Sequence, residues 1–159
     1  MKNFSQNDKI NLIIGGSNPT DELKALITKI PNCKLHCNFD SLESIVPQNS
    51  LMIAPIKSGA GMKVKVAETI SMGLPIAASD EALVGYDKAE SNCLYGGIAR
   101  INTHEEYVRV TEEFLQCPQE RMKNIYTENK NLFKSYYSYE TSMPAIYGLC
   151  SDMLNGATR

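Results

Sequence analysis

The sequence has no apolar stretch long enough to span a bilayer, which leaves out a transmembrane helix. It has almost no net charge. Sixteen Lys and Arg face eighteen Asp and Glu, and a balance of −2 gives no reason to expect nucleic acid or an acidic membrane surface as a partner. Among five cysteines and two histidines there is no CxxC pair and no cluster at zinc-site spacing. Cys33 and Cys37 share one short segment, while Cys93, Cys117 and Cys150 are scattered. They read as reduced thiols packed as small hydrophobes. Residues 1–9, MKNFSQNDK, lack the apolar core of a signal peptide, so a cytoplasmic location is expected. His36 and His104 have no Ser, Cys or Asp partner suggested locally, which leaves a hydrolytic triad unsupported. Asp40, Asp80 and Asp87 form no recognisable metal motif. No Gly-Lys-Ser/Thr loop and no GxGxxG after the first strand are present, which counts against a P-loop nucleotidase and a dinucleotide-dependent oxidoreductase.

What is present fits one globular domain. At 159 residues, 43% hydrophobic and 21% charged, the chain is long enough and apolar enough for a core. Its organising stretch is residues 51–86, LMIAPIKSGAGMKVKVAETISMGLPIAASDEALVGY. Residues 51–55 are a short apolar run ending in proline, as a buried strand does. Residues 57–61 form a tight loop with Gly59 and Gly61. Good helix formers fill 62–72, with Val64, Ala67 and Ile70 spaced to make one apolar face. Gly73 stands where a glycine ends a helix, and Pro75 prevents continuation into the strand 74–78. This is a βαβ unit with a glycine loop at the carboxyl end of its first strand, where open α/β sheets bind ligands.

Glycines let a ligand approach the backbone, and the opening amides of a helix favour an anion, most often phosphate. Lys57, Lys63 and Lys65 add positive charge nearby. Glu68, inside the helix, has two readings: a carboxylate that holds the two hydroxyls of a ribose, or a solvated helix-face residue paired with Lys65 or Lys63.

The run APIKSGAGMKVKVAETISMGLPIAAS over residues 54–79, followed by Val84-Gly85-Tyr86, resembles the nucleotide-sugar-binding segment of GT-B glycosyltransferases of the large retaining group called family 4. The exit Met72-Gly73-Leu74-Pro75-Ile76 matches that family closely. The resemblance implies a Rossmann-like α/β fold, a parallel sheet with helices on both faces, forming the C-terminal half of a GT-B fold. It implies that Glu68, at the second position of the family's paired-glutamate motif, holds the ribose of a nucleotide diphosphate sugar. The amides around Gly59, Ala60, Gly61 and Met62 would face the diphosphate or the donor sugar, with Lys57, Lys65 and Ser79 beside them and Gly85 and Tyr86 close to the pocket. For Tyr86 the alternative is a surface aromatic. Ala60 departs from the family, because the first glutamate of the motif belongs there.

The rest of the chain extends the α/β alternation. Residues 10–14 read as a strand ending in Gly15 and Gly16, which by resemblance lie beside the donor site and either allow close packing or make only a turn. Thr20 or Asp21 caps a helix to about Lys29, and Lys34 to Cys37 reads as a strand. Ser41 is expected to cap a short helix over 42–46. Residues 87–95 look irregular, and 98–101 read as the last strand. Thr103 or Asn102, with Glu106 or Glu105, caps a helix to about Gln116 whose inward residues are Tyr107, Val110, Phe114 and Leu115. A helix from Pro118 to about Tyr136 and a terminal helix over 137–156 follow. Tyr136, Tyr137, Tyr139 and Tyr147 read as edge-of-core residues rather than a sugar-stacking platform.

Taken whole, residues 1–159 are expected to be one donor-binding domain that uses no cofactor or metal beyond its nucleotide-sugar donor. The resemblance implies that the N-terminal acceptor domain, and the first strand and helix of the donor domain, lie outside this sequence or on a partner chain. No residue stands out as a catalytic base. The rival expectation is a non-catalytic GT-B-like interaction domain that supports a partner transferase.

Overall fold

The computed structural model describes residues 10–89 and 96–156. The lead-in over 1–9, Cys93 and most of the irregular stretch 87–95 therefore lie outside the described residues. The chain divides into two compact units, Met1–Gln48 and Asn49–Arg159.

In the first unit, strand β1 (Leu12–Gly16) is followed by helix α1 (Asp21–Ile27) and strand β2 (Cys33–Cys37). The strands are parallel, in register from Leu12 opposite Cys33 to Gly16 opposite Cys37. The Thr20 hydroxyl caps α1 by accepting the Leu23 amide at 3.2 Å. β1 begins and ends two residues later than its hydropathy suggests, because both glycines belong to the ladder. The turn falls instead at Asn18, in the left-handed region at φ 51°. Gly15 serves close packing: a Cβ there would stand 2.7 Å from the Phe39 ring and 2.9 Å from Ile45. Gly16 has no such neighbour. The short helix expected over 42–46 is a single 3-10 turn, Leu42–Ser44, and Ser41 makes no side-chain cap bond.

The second unit contains strands β3 (Met52–Ala54), β4 (Ile76–Ala78) and β5 (Ile98–Arg100), and helices α2 (Val64–Met72), α3 (His104–Gln116), α4 (Gln119–Tyr136) and α5 (Tyr139–Gly156). Its strands form a second parallel ladder in the order β3-β4-β5. Alternate residues of each strand point to opposite faces. Ala54, Ile76, Ala78 and Ile98 pack with Val66 and Ile70 of α2 and with Leu132 and Phe133 of α4. Ala77 and Ala99 pack the other way, with Val110, Tyr107 and Phe114 of α3. The sheet thus has helices on both faces, as a Rossmann-like α/β domain requires.

The buried face of α2 includes Ile70 and, packed against the core, Ala67, as expected, but not Val64. The helix begins at Val64, with Lys63 at its cap position, so its first turn belongs to the loop end. Val64 is 66% exposed, while Val66, Thr69 and Ile70 are buried. Gly73 ends α2 at φ 82°, and it also has a packing reason that the hydropathy pattern does not show. A Cβ there would meet the Tyr126 carbonyl oxygen at 2.6 Å, because the backbone of α4 crosses directly over it. Asn129 of α4, 1% exposed, donates to the Leu74 carbonyl at 2.8 Å and toward Gly97 O at 3.4 Å, tying α4 to the connections into β4 and β5. At the start of α3, Thr103 and Glu106 form a capping box. Leu115, expected inward, is exposed, as are Ile146, Tyr147 and Met153 of α5. Among the described residues no helix is long and apolar enough to cross a membrane.

Two substitutions on α2 separate the faces. Ile70→Ala is expected to cost about 2–5 kcal/mol and Val64→Ala no more than about 0.5 kcal/mol, read from denaturant midpoints. Asn129→Ala should cost about 1–3 kcal/mol in the same measurement, because it strips a donor from buried carbonyls.

Candidate functional site

The three strands of the second unit run the same way, so their carboxyl ends share one edge. From β3 leaves the loop 55–63, from β4 the turn 79–86, and from β5 the short link to α3. Gly59 and Gly61 lie in the loop with positive φ, 154° and 66°, and both are exposed, as are Lys57 and Ala60. The start of α2 follows at once.

The loop and the turn are stitched together by residues from each. The Ser79 hydroxyl, buried, donates to the Ile56 carbonyl and accepts the Ala82 amide at 3.2 Å. Lys63 Nζ donates to the Gly61 carbonyl at 2.8 Å and to Glu81 Oε1 at 3.0 Å. The Tyr86 hydroxyl donates to the Lys63 carbonyl at 2.8 Å. Met62 lies over Gly85, where a Cβ would meet its Cγ at 2.4 Å. Gly85 is at φ 85°, so glycine is required there twice over.

Charge in the site is largely compensated. Lys63 is paired with Glu81, and Lys65 with Glu68 at 2.8 Å. Lys57 has no ion-pair partner among the described residues, and it is the cation left uncompensated. The Glu68–Lys65 pair is an exposed i, i+3 contact, worth about 0–1 kcal/mol, so incoming hydroxyls can displace it at small cost. Tyr86 is neither a surface aromatic nor a lining residue. It is 1% exposed and packs on Tyr137 with ring centroids 5.1 Å apart. Burial raises its phenol pKa, opposed by the backbone amide of Ala67.

The expected site residues of the second unit thus fall into two sets. Lys57, Gly59, Ala60, Gly61, Met62, Lys65 and Glu68 sit together on the exposed loop and the first turns of α2, whereas Ser79 and Gly85 hold that loop to the turn beside it. Gly15 and Gly16 belong to the first unit.

The family model described as glycosyl transferases group 1 matches residues 1–111, which include β1 to β5 and the glycine loop. The chain belongs to the group 1 glycosyltransferases. No curated protein and no solved structure matches it.

In this glycosyltransferase a further polar cluster stands at the ends of β4 and β5. Arg100 pairs with Asp80 at 2.8 Å, Asn102 Nδ2 donates to the same carboxylate at 3.0 Å, and Asn102 Oδ1 accepts the Asp80 amide at 3.1 Å. Neither this cluster nor the Lys63–Glu81 pair is visible in local spacing, since the partners lie on different loops. The only signal is that polar residues gather at the carboxyl ends of apolar strands, as Asp80 and Glu81 do after β4 and Arg100 and Asn102 at the end of β5.

Next to this cluster, Glu106 accepts the Asn102 amide at 2.8 Å and the Thr103 amide at 2.9 Å. These bonds hold its carboxyl below the usual carboxylate range. A lowered folded pKa stabilises in full above the unfolded value, and the gain is lost as pH falls through the folded value. Acid titration of the folded glycosyltransferase should therefore show Glu106→Gln less stable than the parent at neutral pH, with the difference shrinking as the pH falls below the ordinary carboxylate range.

Proposed function

We propose that this chain is the donor half of a retaining, GT-B type glycosyltransferase. It binds the diphosphate of a nucleotide sugar over the loop 57–63 and the start of α2, and it holds the ribose with Glu68. The observation that carries this reading is an exposed glycine loop, followed at once by a helix start, at the carboxyl edge of a parallel sheet. Backbone amides and a helix N-terminus set there favour a diphosphate and stabilise it as it leaves, an electrostatic role that costs no reorganisation in the reaction. Lys57 adds the uncompensated positive charge. Glu68 sits one turn into α2, and its exposed carboxylate exchanges the Lys65 ammonium for sugar hydroxyls. This chemistry calls for no resident cofactor or metal.

In this reading the acceptor, a glycan or lipid-linked glycan of polysaccharide biosynthesis, is bound by an N-terminal domain or a partner chain, which also supplies whatever base the reaction uses. The four described cysteines are unpaired, in keeping with a reducing, cytoplasmic setting. A second reading is a non-catalytic domain that supports a partner transferase. It is favoured by Ala60 in place of an acid and by the pairing of Glu68 with Lys65.

Calorimetric titration of the folded chain with UDP, GDP and ADP, and with their sugar conjugates, tests the choice. The donor-half reading expects one base to be preferred, with Glu68→Ala weakening it by about tenfold, or 1.4 kcal/mol. No binding of any of them by the folded chain would favour the supporting role. The chain alone should show little or no sugar transfer, and robust turnover by the pure protein would overturn its assignment as half of a larger enzyme.

A further inference from the structure

Lys63 was read from the sequence as one more positive charge near an anion, but its surroundings give it a different task. Its side chain is only 13% exposed. Its ammonium lies inside the curve of the glycine loop: a Cβ on Gly59 would stand 3.4 Å from both Cε and Nζ of Lys63. Two of its three N–H groups are used within the protein, on the Gly61 carbonyl at 2.8 Å and Glu81 Oε1 at 3.0 Å. Its own carbonyl accepts the Val66 amide at 2.9 Å and the Tyr86 hydroxyl at 2.8 Å. The residue is therefore gripped at both ends, by the loop and α2 on one side and the turn 79–86 on the other.

The loop needs such a hold. Gly59 and Gly61 both take positive φ, and each glycine leaves its segment with more conformations in the absence of a tether. A loop whose amides must converge on one anion loses affinity when it has to be ordered by that anion, because the ordering is deducted from binding.

We propose that Lys63 is a positioning residue for the donor loop: its ammonium, clamped between the Gly61 carbonyl and Glu81, holds the backbone of residues 59–62 in the form that receives a nucleoside diphosphate. Glu81 is the counter-group that keeps the ammonium in place, and Tyr86 fixes the backbone from which it reaches. This rests on the assignment of the loop as the diphosphate site. The specificity consequence is that the pair governs how much better the site binds a diphosphate than a monophosphate. The extra phosphate is recognised by the ordered loop rather than by the lysine itself.

The test compares the parent chain with Lys63→Met, Lys63→Arg and Glu81→Gln, each checked for folding by its thermal midpoint. The readout is calorimetric affinity for the UDP/UMP, GDP/GMP and ADP/AMP pairs, with amide hydrogen exchange followed over residues 59–62. Lys63→Met keeps most of the stem and should weaken the preferred diphosphate by about tenfold while leaving its monophosphate within about twofold, as expected for lost charged hydrogen bonds. Exchange should quicken at 59–62 and stay unchanged at 76–78 of β4. Lys63→Arg, which can still bridge a carbonyl and a carboxylate, should recover most of the affinity and protection.

Glu81→Gln separates positioning from direct contact. A lysine that bound phosphate itself would be released by the loss of Glu81, and diphosphate affinity would rise. A positioning lysine loses its clamp, and affinity falls. A rise on Glu81→Gln, or unchanged diphosphate affinity and exchange in a folded Lys63→Met chain, would overturn the proposal. If the parent binds no nucleotide, the donor-site assignment falls and this proposal with it. If the parent binds and the variants bind equally well, the positioning role alone is overturned.

Discussion

Ile76, Ala77 and Ala78 are each no more than 1% exposed, so β4 has to be covered on both of its faces. A parallel strand with no solvent side needs a helix above and below it, and the connections of a βαβ fold supply them. α2 and α4 cover the side of Ile76 and Ala78, and α3 covers the side of Ala77. Small residues on β4 and β5 bring the helices close. Gly73 and Gly97 bring α4 closer still, since a Cβ at either would collide with it, and Asn129 bonds to the carbonyls that remain. The second unit is built outward from that strand.

The site inherits its geometry from the same arrangement. The loop after β3 and the turn after β4 leave adjacent parallel strands at the same edge, so they emerge side by side and can be joined. Ser79, Lys63, Tyr86 and Met62 do the joining through a hydroxyl, an ammonium, a phenol and a thioether. Most of the side chains that look functional beside a glycine loop are therefore occupied in holding it. What remains open is backbone, one uncompensated lysine and one carboxylate in a pair that is cheap to break. Such a surface has the chemistry to hold an anion and a hydroxylated sugar.

The sequence by itself determined the elements and their order in the second unit. Proline and glycine ended β3 and α2 where expected, Thr103 and Glu106 marked the start of α3, and the apolar runs became parallel strands with helices on both faces. The family, too, was legible from the glycine loop and the Gly-Leu-Pro exit, and the match over residues 1–111 agrees with it. These signals are local: a cap, a glycine stop and a short apolar run each depend on a few neighbouring residues.

Only the tertiary structure decided that Val66 and Thr69 of α2 are buried and Val64 is not, that Gly73 and Gly85 are needed for close approach as well as for their φ, and that the strands fall into two ladders. It also decided that Tyr86 belongs to the core, and that Lys63 and Lys65 are already paired. Apart from the local pair of Lys65 with Glu68, which was one of two readings open to the sequence, these depend on a partner distant in the chain: Tyr126 over Gly73, Met62 over Gly85, Glu81 beside Lys63, Tyr137 on Tyr86. Hydropathy spacing carries no record of a partner's position, because side-chain period is a property of one element and a contact is a property of two.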